Sequence, residues 1–338
     1  MAIEKRMEPS DFDIEGTDAE EIEVEIINPE AVSIDTEDGG VIIDFEGGVS
    51  EELLGPDHDS NLAEFIDESD LQAMAAELID DFNSDRESRK EWARAYVKGL
   101  DLLGMKIEER SQPWQGASGV FHPVLTEAVV RFQAQAMSEL YPASGPVRTK
   151  IMGKLTPEKM DQADRVKTEM NYIITEEMTE YRDEMEQMLF KLPLAGSSFK
   201  KVYYDPILER PCAMFIPAED FVVSYGASDL MTCPRYTHVM KKTKNEILEM
   251  QVAGMYRDVE LPDPAPDFTD IQDKYDELDG ESAVLEDDDR YTLLEMHVSM
   301  NMPEDFDDPD GIARPYVVTI DKSSKEVLAI RRNWYADD

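Results

Sequence analysis

The sequence predicts an α+β fold in which helices come first and strands follow. Between residues 69 and 195, apolar side chains recur every three or four positions, which is typical of helices packed by one face. From residue 197 onward, short runs of aromatic and β-branched residues alternate with turn-forming residues, which indicates a small mixed or antiparallel β region. An acidic stretch precedes both. We therefore predict three parts, 1–68, 69–195 and 196–338.

The first part is predicted to be a disordered acidic arm. Residues 1–70 contain 24 Asp and Glu but only two basic residues, Lys5 and Arg6, and so carry about half of the net charge of −43. Such a segment buries too little apolar surface to offset the entropy lost on ordering. The short apolar run at 41–43 is expected to form a strand only with a partner.

The helical part is predicted to begin with a capping box, in which Ser69 is the N-cap and Gln72 occupies the third helical position. Apolar residues follow at helical spacing, are interrupted by a polar stretch at 83–90, and resume as far as a stop at Gly104. A turn-rich loop at 114–119 leads to a further helix, with Pro123 in its first turn and Pro142 at its end. The apolar face of that helix comprises Leu125, Val129, Phe132, Ala136 and Leu140.

One long helix is predicted from Thr156 to Leu192. Thr156 is a suitable N-cap, and Pro157 fits the first helical position. A methionine-rich apolar seam runs along it and is broken only by Lys167. At about 1.5 Å per residue such a helix spans roughly 50 Å. We expect this seam to pack along another helix, in the same subunit or in a neighbouring one.

The third part is predicted to contain short strands with one helix between them. The strands are expected at 199–204, 213–216, 221–224, 236–240, 291–300, 315–320 and 327–331, and the helix at 244–255. Residues 258–289 are acidic and contain prolines, so we predict a long flexible insertion there. Strands and an aromatic pair stand close to residue 338, and we expect more of the protein to follow.

Charge and composition exclude several classes of function. A net charge of −43 repels a DNA duplex, whereas proteins that grip DNA use clusters of Lys and Arg. No apolar run approaches the roughly 18 residues of a membrane span, so no membrane partner is expected. Two cysteines, Cys212 and Cys233, are too few for a disulfide framework.

No catalytic, metal-binding or cofactor-binding residues are predicted. The four histidines, at positions 58, 122, 238 and 297, lack a second His or Cys at ligand spacing. The acidic run 305–311 fails the calcium-loop pattern, because Pro309 takes the fifth position and Asp310 the sixth, where glycine is needed. Nucleophile-elbow and phosphate-loop motifs are absent.

Several separated segments of the sequence form a recognisable set. The longest is ERSQPWQGASGVFHP at 109–123. Others are RFQAQA at 131–136, LYPA at 140–143, GPV at 145–147, KVYYDP at 201–206, PAED at 217–220 and RRNW at 331–334. These segments resemble, in the same order, the portal proteins of short-tailed and related marine phages, and the resemblance covers roughly residues 60–338. Within it we single out six positions as structural motif residues: Trp114, Gly116, Gly119, Phe121, Pro123 and Arg131.

The resemblance implies a ring of typically twelve subunits at one capsid vertex, in the virion and, during assembly, in the host cytoplasm. Such a ring docks terminase, the major capsid protein and tail or adaptor proteins. Double-stranded DNA passes through it during packaging and ejection without tight binding. Residues 69–338 would then form the wing region, with the stem and clip expected beyond residue 338.

Two other functions remain open from the sequence alone. The acidic arm is compatible with an adaptor or DNA-mimic module that binds a basic host protein, which predicts a monomer with a salt-sensitive partner. A metal-dependent nuclease would require Mg²⁺-dependent cleavage, and no motif supports it. We favour a structural subunit without enzymatic activity.

Overall fold

The structure is a computed structural model, and it describes part of the chain. The described residues are 32–35, 41–44, 57–103, 114, 122–205, 208–265, 269–279, 290–302 and 312–334. They form two compact units, 1–60 and 61–338. The α+β class is confirmed, and the strands of every described sheet are antiparallel.

The first unit contains a two-stranded hairpin. Strand β1 (Val32–Asp35) pairs with β2 (Val41–Asp44), and Val32 lies opposite Asp44. The apolar run at 41–43 therefore pairs within its own chain, and the expectation that it needs a partner is wrong. The rest of the predicted disordered arm up to residue 56 lies outside the described residues.

The predicted boundary at residue 68 is also wrong, because residues 61–66 belong to the core of the second unit. Leu62, Ala63 and Ile66 are buried there, and Leu62–Glu64 form a 3₁₀ turn. The buried Asn61 accepts a hydrogen bond from the Ile330 N–H at 2.9 Å and donates one to a carbonyl of the same strand. Asn61 thereby satisfies a buried strand edge.

Two consecutive helices follow, α1 (Glu68–Ser88) and α2 (Lys90–Leu103). The predicted capping box is wrong, since α1 begins before Ser69 and the first helical residue, Glu68, pairs with Arg257 at 2.7 Å. The end of α2 at Leu103 agrees with the predicted stop, although Gly104 itself lies outside the described residues.

Helix α3 (Val124–Leu140) begins one residue after Pro123, which occupies the N-cap rather than the first turn, and ends before Pro142 as predicted. Its predicted apolar face is only partly covered: Val129 is buried, whereas Phe132 and Leu140 are exposed. The helix is tied to the next part of the chain by Gln133, whose side chain donates to the Glu186 carbonyl at 3.0 Å.

The predicted single helix from 156 to 192 is in fact two helices, α4 (Pro157–Tyr172) and α5 (Tyr181–Ala195), separated by a π turn (Ile173–Glu177). Tertiary contacts hold the start of α5. The carboxylates of Glu180 and Glu184 accept backbone N–H groups of Ala213 at 3.1 Å and Phe215 at 2.5 Å. The Thr156 cap and Pro157 at the first helical position are confirmed.

Those backbone groups belong to a hairpin of β3 (Phe199–Asp205) and β4 (Arg210–Ile216). A five-stranded antiparallel sheet follows in the order β5-β6-β7-β8-β9. Its strands are β5 (Phe221–Val223), β6 (Arg235–Thr243), β7 (Arg290–Met300), β8 (Arg314–Asp321) and β9 (Val327–Arg332). All seven predicted strands are confirmed, and most differ only at their ends.

One face of the five-stranded sheet packs against α1 and forms the main core. Leu294, Met296 and Val318 are fully buried there and meet Leu71 and Phe82 of the helix. Side chains on a strand alternate between faces, and this face is almost entirely apolar. The core of the second unit therefore lies between α1 and the sheet.

The opposite face packs against α6 (Lys244–Val252), whose capping box joins Thr243 and Glu246. The predicted flexible insertion at 258–289 is wrong in part, because α7 (Asp270–Asp279) lies within it. Ile271 is buried and Tyr275 packs against α2, so burial of these side chains offsets the entropy of ordering. Residues 280–289 lie outside the described residues.

Candidate functional sites

One buried polar cluster lies on the α6 side of the sheet. His238 faces Glu295 across β6 and β7, and the ring of His297 stacks on Tyr236 with 4.6 Å between centroids. Lys201, on β3, donates to Oε2 of Glu295 at 2.6 Å. His297 Nε2 lies 3.6 Å from Oε1 of the same carboxylate. The cluster thus joins the β3–β4 hairpin to the sheet through one central carboxylate.

Burial sets the protonation of this cluster. It lowers the pKa of His238 to about 4, so the ring is neutral near neutrality. Burial alone would raise the pKa of Glu295, but the hydrogen bond with His297 and the charge of Lys201 outweigh it and hold the pKa at about 2. The result is a neutral imidazole beside an ionised carboxylate and a lysine.

This cluster contains side chains that can donate or accept protons. These side chains contact one another, however, and do not face an open cavity. The carboxylate of Glu295 is held by Lys201, and none of the four residues of the cluster lines the groove on α3 or the cavity beside α6. The described residues contain no group of three His, Cys, Asp or Glu arranged to hold a metal ion. The pair of Lys201 and Glu295 connects the hairpin to the sheet.

A second polar cluster joins α2, α5, α7 and the turn between β4 and β5. Glu219, in the PAED segment, accepts from Lys191 and from the Tyr275 hydroxyl, both at 3.1 Å. The Tyr275 hydroxyl is also 2.8 Å from that of Tyr96. Burial raises the pKa of the neighbouring Asp220 to about 6, and the charge of Glu219 adds to this effect.

Arg89 anchors the same turn from the junction of α1 and α2. Its guanidinium donates to the Phe221 carbonyl at 2.6 Å and to the Ala218 carbonyl at 2.5 Å, and it lies 4.4 Å above the Trp92 ring. Five donors in a planar fork suit this use. Arg89, at the interruption between α1 and α2, therefore places a cation at the start of the sheet. Its role there is structural.

The third candidate is an open groove of about 510 Å³ along the outer face of α3. It is lined by Pro123, Thr126, Glu127, Val130, Arg131 and Ala134. Arg131 forms an ion pair with Glu127, one turn earlier in the helix, at 2.7 Å, and its charge is therefore balanced within α3. Val130 remains exposed, and Val124 beside the groove is exposed as well. An apolar helix face left open in this way is suited to contact with another molecule.

Helix α4 is the most exposed element of this region, since it has no buried residue. Met160, Val166 and Met170 are 50%, 43% and 44% exposed. In the extended segment before it, Met152 and Leu155 are 79% and 72% exposed. Helices in soluble proteins normally bury an apolar stripe, so this apolar surface lacks a partner within the described part of the chain.

That extended segment is held in place at its start. Asn171 of α4 accepts from the Val147 N–H at 3.0 Å and donates to the Val147 carbonyl at 3.2 Å. Gly145, with φ of +93°, lies so close to Asn171 that a Cβ at this position would be 2.3 Å from its Oδ1. The GPV segment therefore needs glycine here and fixes the direction in which the chain leaves it.

Of the six nominated motif residues, Pro123 and Arg131 lie together on the α3 groove. Trp114 is 69% exposed, while Gly116, Gly119 and Phe121 lie outside the described residues. His122 precedes α3, and His238 and His297 lie in strands as predicted. The acidic run 305–311 lies outside the described residues.

Sequence reasoning missed the structural residues that matter most, Asn61, Asn171 and Glu219. Each acts through a contact far away in sequence, with β9, with Val147 and with Tyr275 respectively. Asn61 follows the polar run 57–60, so the local sequence does not mark it.

Comparison with known proteins gave no match, either to the models of protein families or among curated proteins. Among the described residues, no helix is long and apolar enough to cross a membrane.

Proposed function

We propose that this chain is a structural subunit of a tailed-phage portal, which forms a ring at one capsid vertex and lets DNA pass during packaging and ejection. The observation that carries the proposal is the α3–α4 region, whose apolar side chains are exposed within a single chain. A subunit that assembles with copies of itself needs such a surface, because burying it stabilises the assembly.

The charge of the chain supports a conduit rather than a clamp. With 76 acidic and 33 basic residues, the chain repels a duplex over most of its surface. A ring of such subunits presents few phosphate contacts, so DNA is able to slide through it. Terminase, the major capsid protein and tail proteins are the partners that this role requires.

The two buried polar clusters support the same proposal by their position. Each joins separate elements through internal ion pairs: Lys201 with Glu295 in one, and Lys191 with Glu219 in the other. Such ties hold a hairpin and helices rigidly on the sheet, which suits a subunit that bears load in an assembly.

Electron microscopy of the purified chain tests the proposal. Symmetric annular particles are expected from the unmodified protein. The double variant Met160→Asp/Met170→Asp should give folded monomers, because it places charge on the exposed face of α4. A matched control is Tyr225→Asp/Val252→Asp, which adds the same charge at two residues that are 85% and 84% exposed elsewhere. Monomers from the unmodified protein, or Mg²⁺-dependent cleavage of DNA, would contradict it.

An acidic adaptor is the second candidate, and the composition of residues 1–70 favours it specifically. It predicts a stable monomer that binds a basic protein with an affinity that falls steeply with salt. Sedimentation of the chain alone and with such a partner separates the two proposals, since only the portal subunit is expected to assemble by itself.

A further inference from the structure

We propose that residues 141–157, here called the basic segment, dock onto the acidic outer row of α1 in a second copy of this chain. This inference rests on the proposed function and names the contact between neighbouring subunits. It would make the contact head-to-tail, since the two surfaces belong to different elements of the same chain.

The basic segment carries positive charge only. It holds Arg148, Lys150 and Lys154 and contains no Asp or Glu. All three cations are exposed, and none has an ion pair or hydrogen bond among the described residues. Over 122–172 there are seven basic and six acidic residues, a net charge of +1 in a chain of −43. Like-charge repulsion between copies of this chain is therefore small at this region.

The apolar neighbours of these cations indicate a protein partner rather than a nucleic acid. Met152 and Leu155 lie between and beside the cations, and Met160 follows in the first turn of α4. Protein interfaces combine a methionine-rich or aliphatic centre with a charged rim. A phosphate backbone offers no apolar surface to cover Met152 and Leu155.

The acidic outer row of α1 supplies the complementary surface. Asp70, Glu77, Asp80 and Glu87 are exposed and lie within one arc of the helix, opposite the residues that pack on the sheet. Glu87 pairs with Lys90, whereas Asp70, Glu77 and Asp80 have no ion pair among the described residues. Three unpaired carboxylates thus match three unpaired cations.

The symmetry of such a contact follows from its two different halves. The basic segment of one copy contacts the acidic row of the next. An open row of copies therefore has an unused basic segment at one end and an unused acidic row at the other. Contacts of this heterologous kind propagate and close into rings when the rotation per subunit allows it. Because all the charges are exposed, the contact should weaken as salt rises.

Charge exchange tests the contact. The variants Arg148→Glu/Lys154→Glu and Glu77→Lys/Asp80→Lys should each assemble poorly, because each makes the two halves alike in charge. An equimolar mixture of the two should regain assembly, since every contact in an alternating arrangement is again between opposite charges. The control Lys98→Glu/Lys244→Glu changes the charge equally at two exposed lysines and should assemble like the unmodified protein.

Mass photometry and melting curves of the same samples read the outcome. Melting curves like that of the unmodified chain show that each variant folds. If the unmodified chain stays monomeric, both this contact and the proposed function are overturned. If it assembles and the charge-exchanged variants assemble equally well, or their mixture does not recover, this contact alone is wrong. Normal assembly with weakened DNA binding would assign the segment to nucleic acid instead.

Discussion

The sheet and the α3–α4 region of this protein differ sharply in how they bury apolar side chains. Between α1 and the sheet, residues such as Leu294 and Val318 are fully buried, whereas α4 has no buried residue. Both regions contain apolar residues at regular spacing. The difference teaches that regular spacing marks a face suited to packing, and that the face of α4 is not covered within the described part of the chain.

The largest expected effect tests the buried side of this comparison. Leu294→Ala removes a fully buried side chain and should lower the free energy of unfolding by about 3–5 kcal/mol, from lost transfer energy and the cavity that remains. Met170→Ala on α4 should change it by about 0.5 kcal/mol or less, because that side chain is exposed. Chemical denaturation measures both, and equal losses would contradict the comparison.

An ion pair beneath α1 should give the next largest effect. The buried Asp85 accepts from Arg235 at 2.7 and 3.0 Å, so Asp85→Ala leaves the guanidinium half-buried without its main partner. We expect a loss of about 3 kcal/mol in denaturation experiments. Asp80→Ala, on the exposed side of the same helix, is the control and should be nearly neutral.

A smaller loss is expected at Asn61. Asn61→Ala would leave the Ile330 N–H without its partner in the core, at a cost of about 2 kcal/mol, whereas the Leu328 carbonyl keeps the hydrogen bond from the Arg257 N–H at 2.7 Å. Hydrogen exchange at Ile330 should also become faster. Unchanged protection there would show that Asn61 does not hold the edge of β9.

The effects of pH on stability should have opposite signs at the two polar clusters. The folded pKa of His238, about 4, lies below its ordinary value of 6.5, so its contribution to stability is lost as pH falls from 6.5 towards 4. The folded pKa of Asp220, about 6, lies above 3.8, so its contribution is present at low pH and is lost as pH rises through 6.

Substitution separates the two contributions. His238→Gln should flatten the fall in melting temperature between pH 6.5 and 4. Asp220→Asn should instead reduce the loss of melting temperature that the unmodified chain shows between pH 4 and neutral pH. The reason is that the amide carries no charge to desolvate. Slopes that do not change in these variants would mean that other groups set the pH dependence.

Local patterns predicted the elements of the fold well. Alternation and β-branched residues located the strands, and Thr156 with Pro157 located the start of α4, because these signals act within a few residues. The errors arose where contacts distant in sequence decide the structure. At the break before α5, Glu180 binds the backbone of β4, and at the start of α1, Glu68 pairs with Arg257; the local sequence shows neither contact.

The candidate surface could be predicted only in part. The spacing of Pro123 and Arg131 places both on one helix face, and both line the α3 groove. The sequence could not predict that α4 is exposed. A methionine-rich seam has the same pattern whether it packs within its own chain or against a neighbouring one. The tie between Asn171 and Val147 also has no local signal.

Analytical ultracentrifugation of the unmodified chain beside Met160→Asp/Met170→Asp tests the central claim most directly. If the exposed α3–α4 surface exists to bind further copies, the unmodified chain should sediment as a closed multimer and the variant as a folded monomer. An unmodified chain that remains monomeric at every concentration and salt tested would contradict the account.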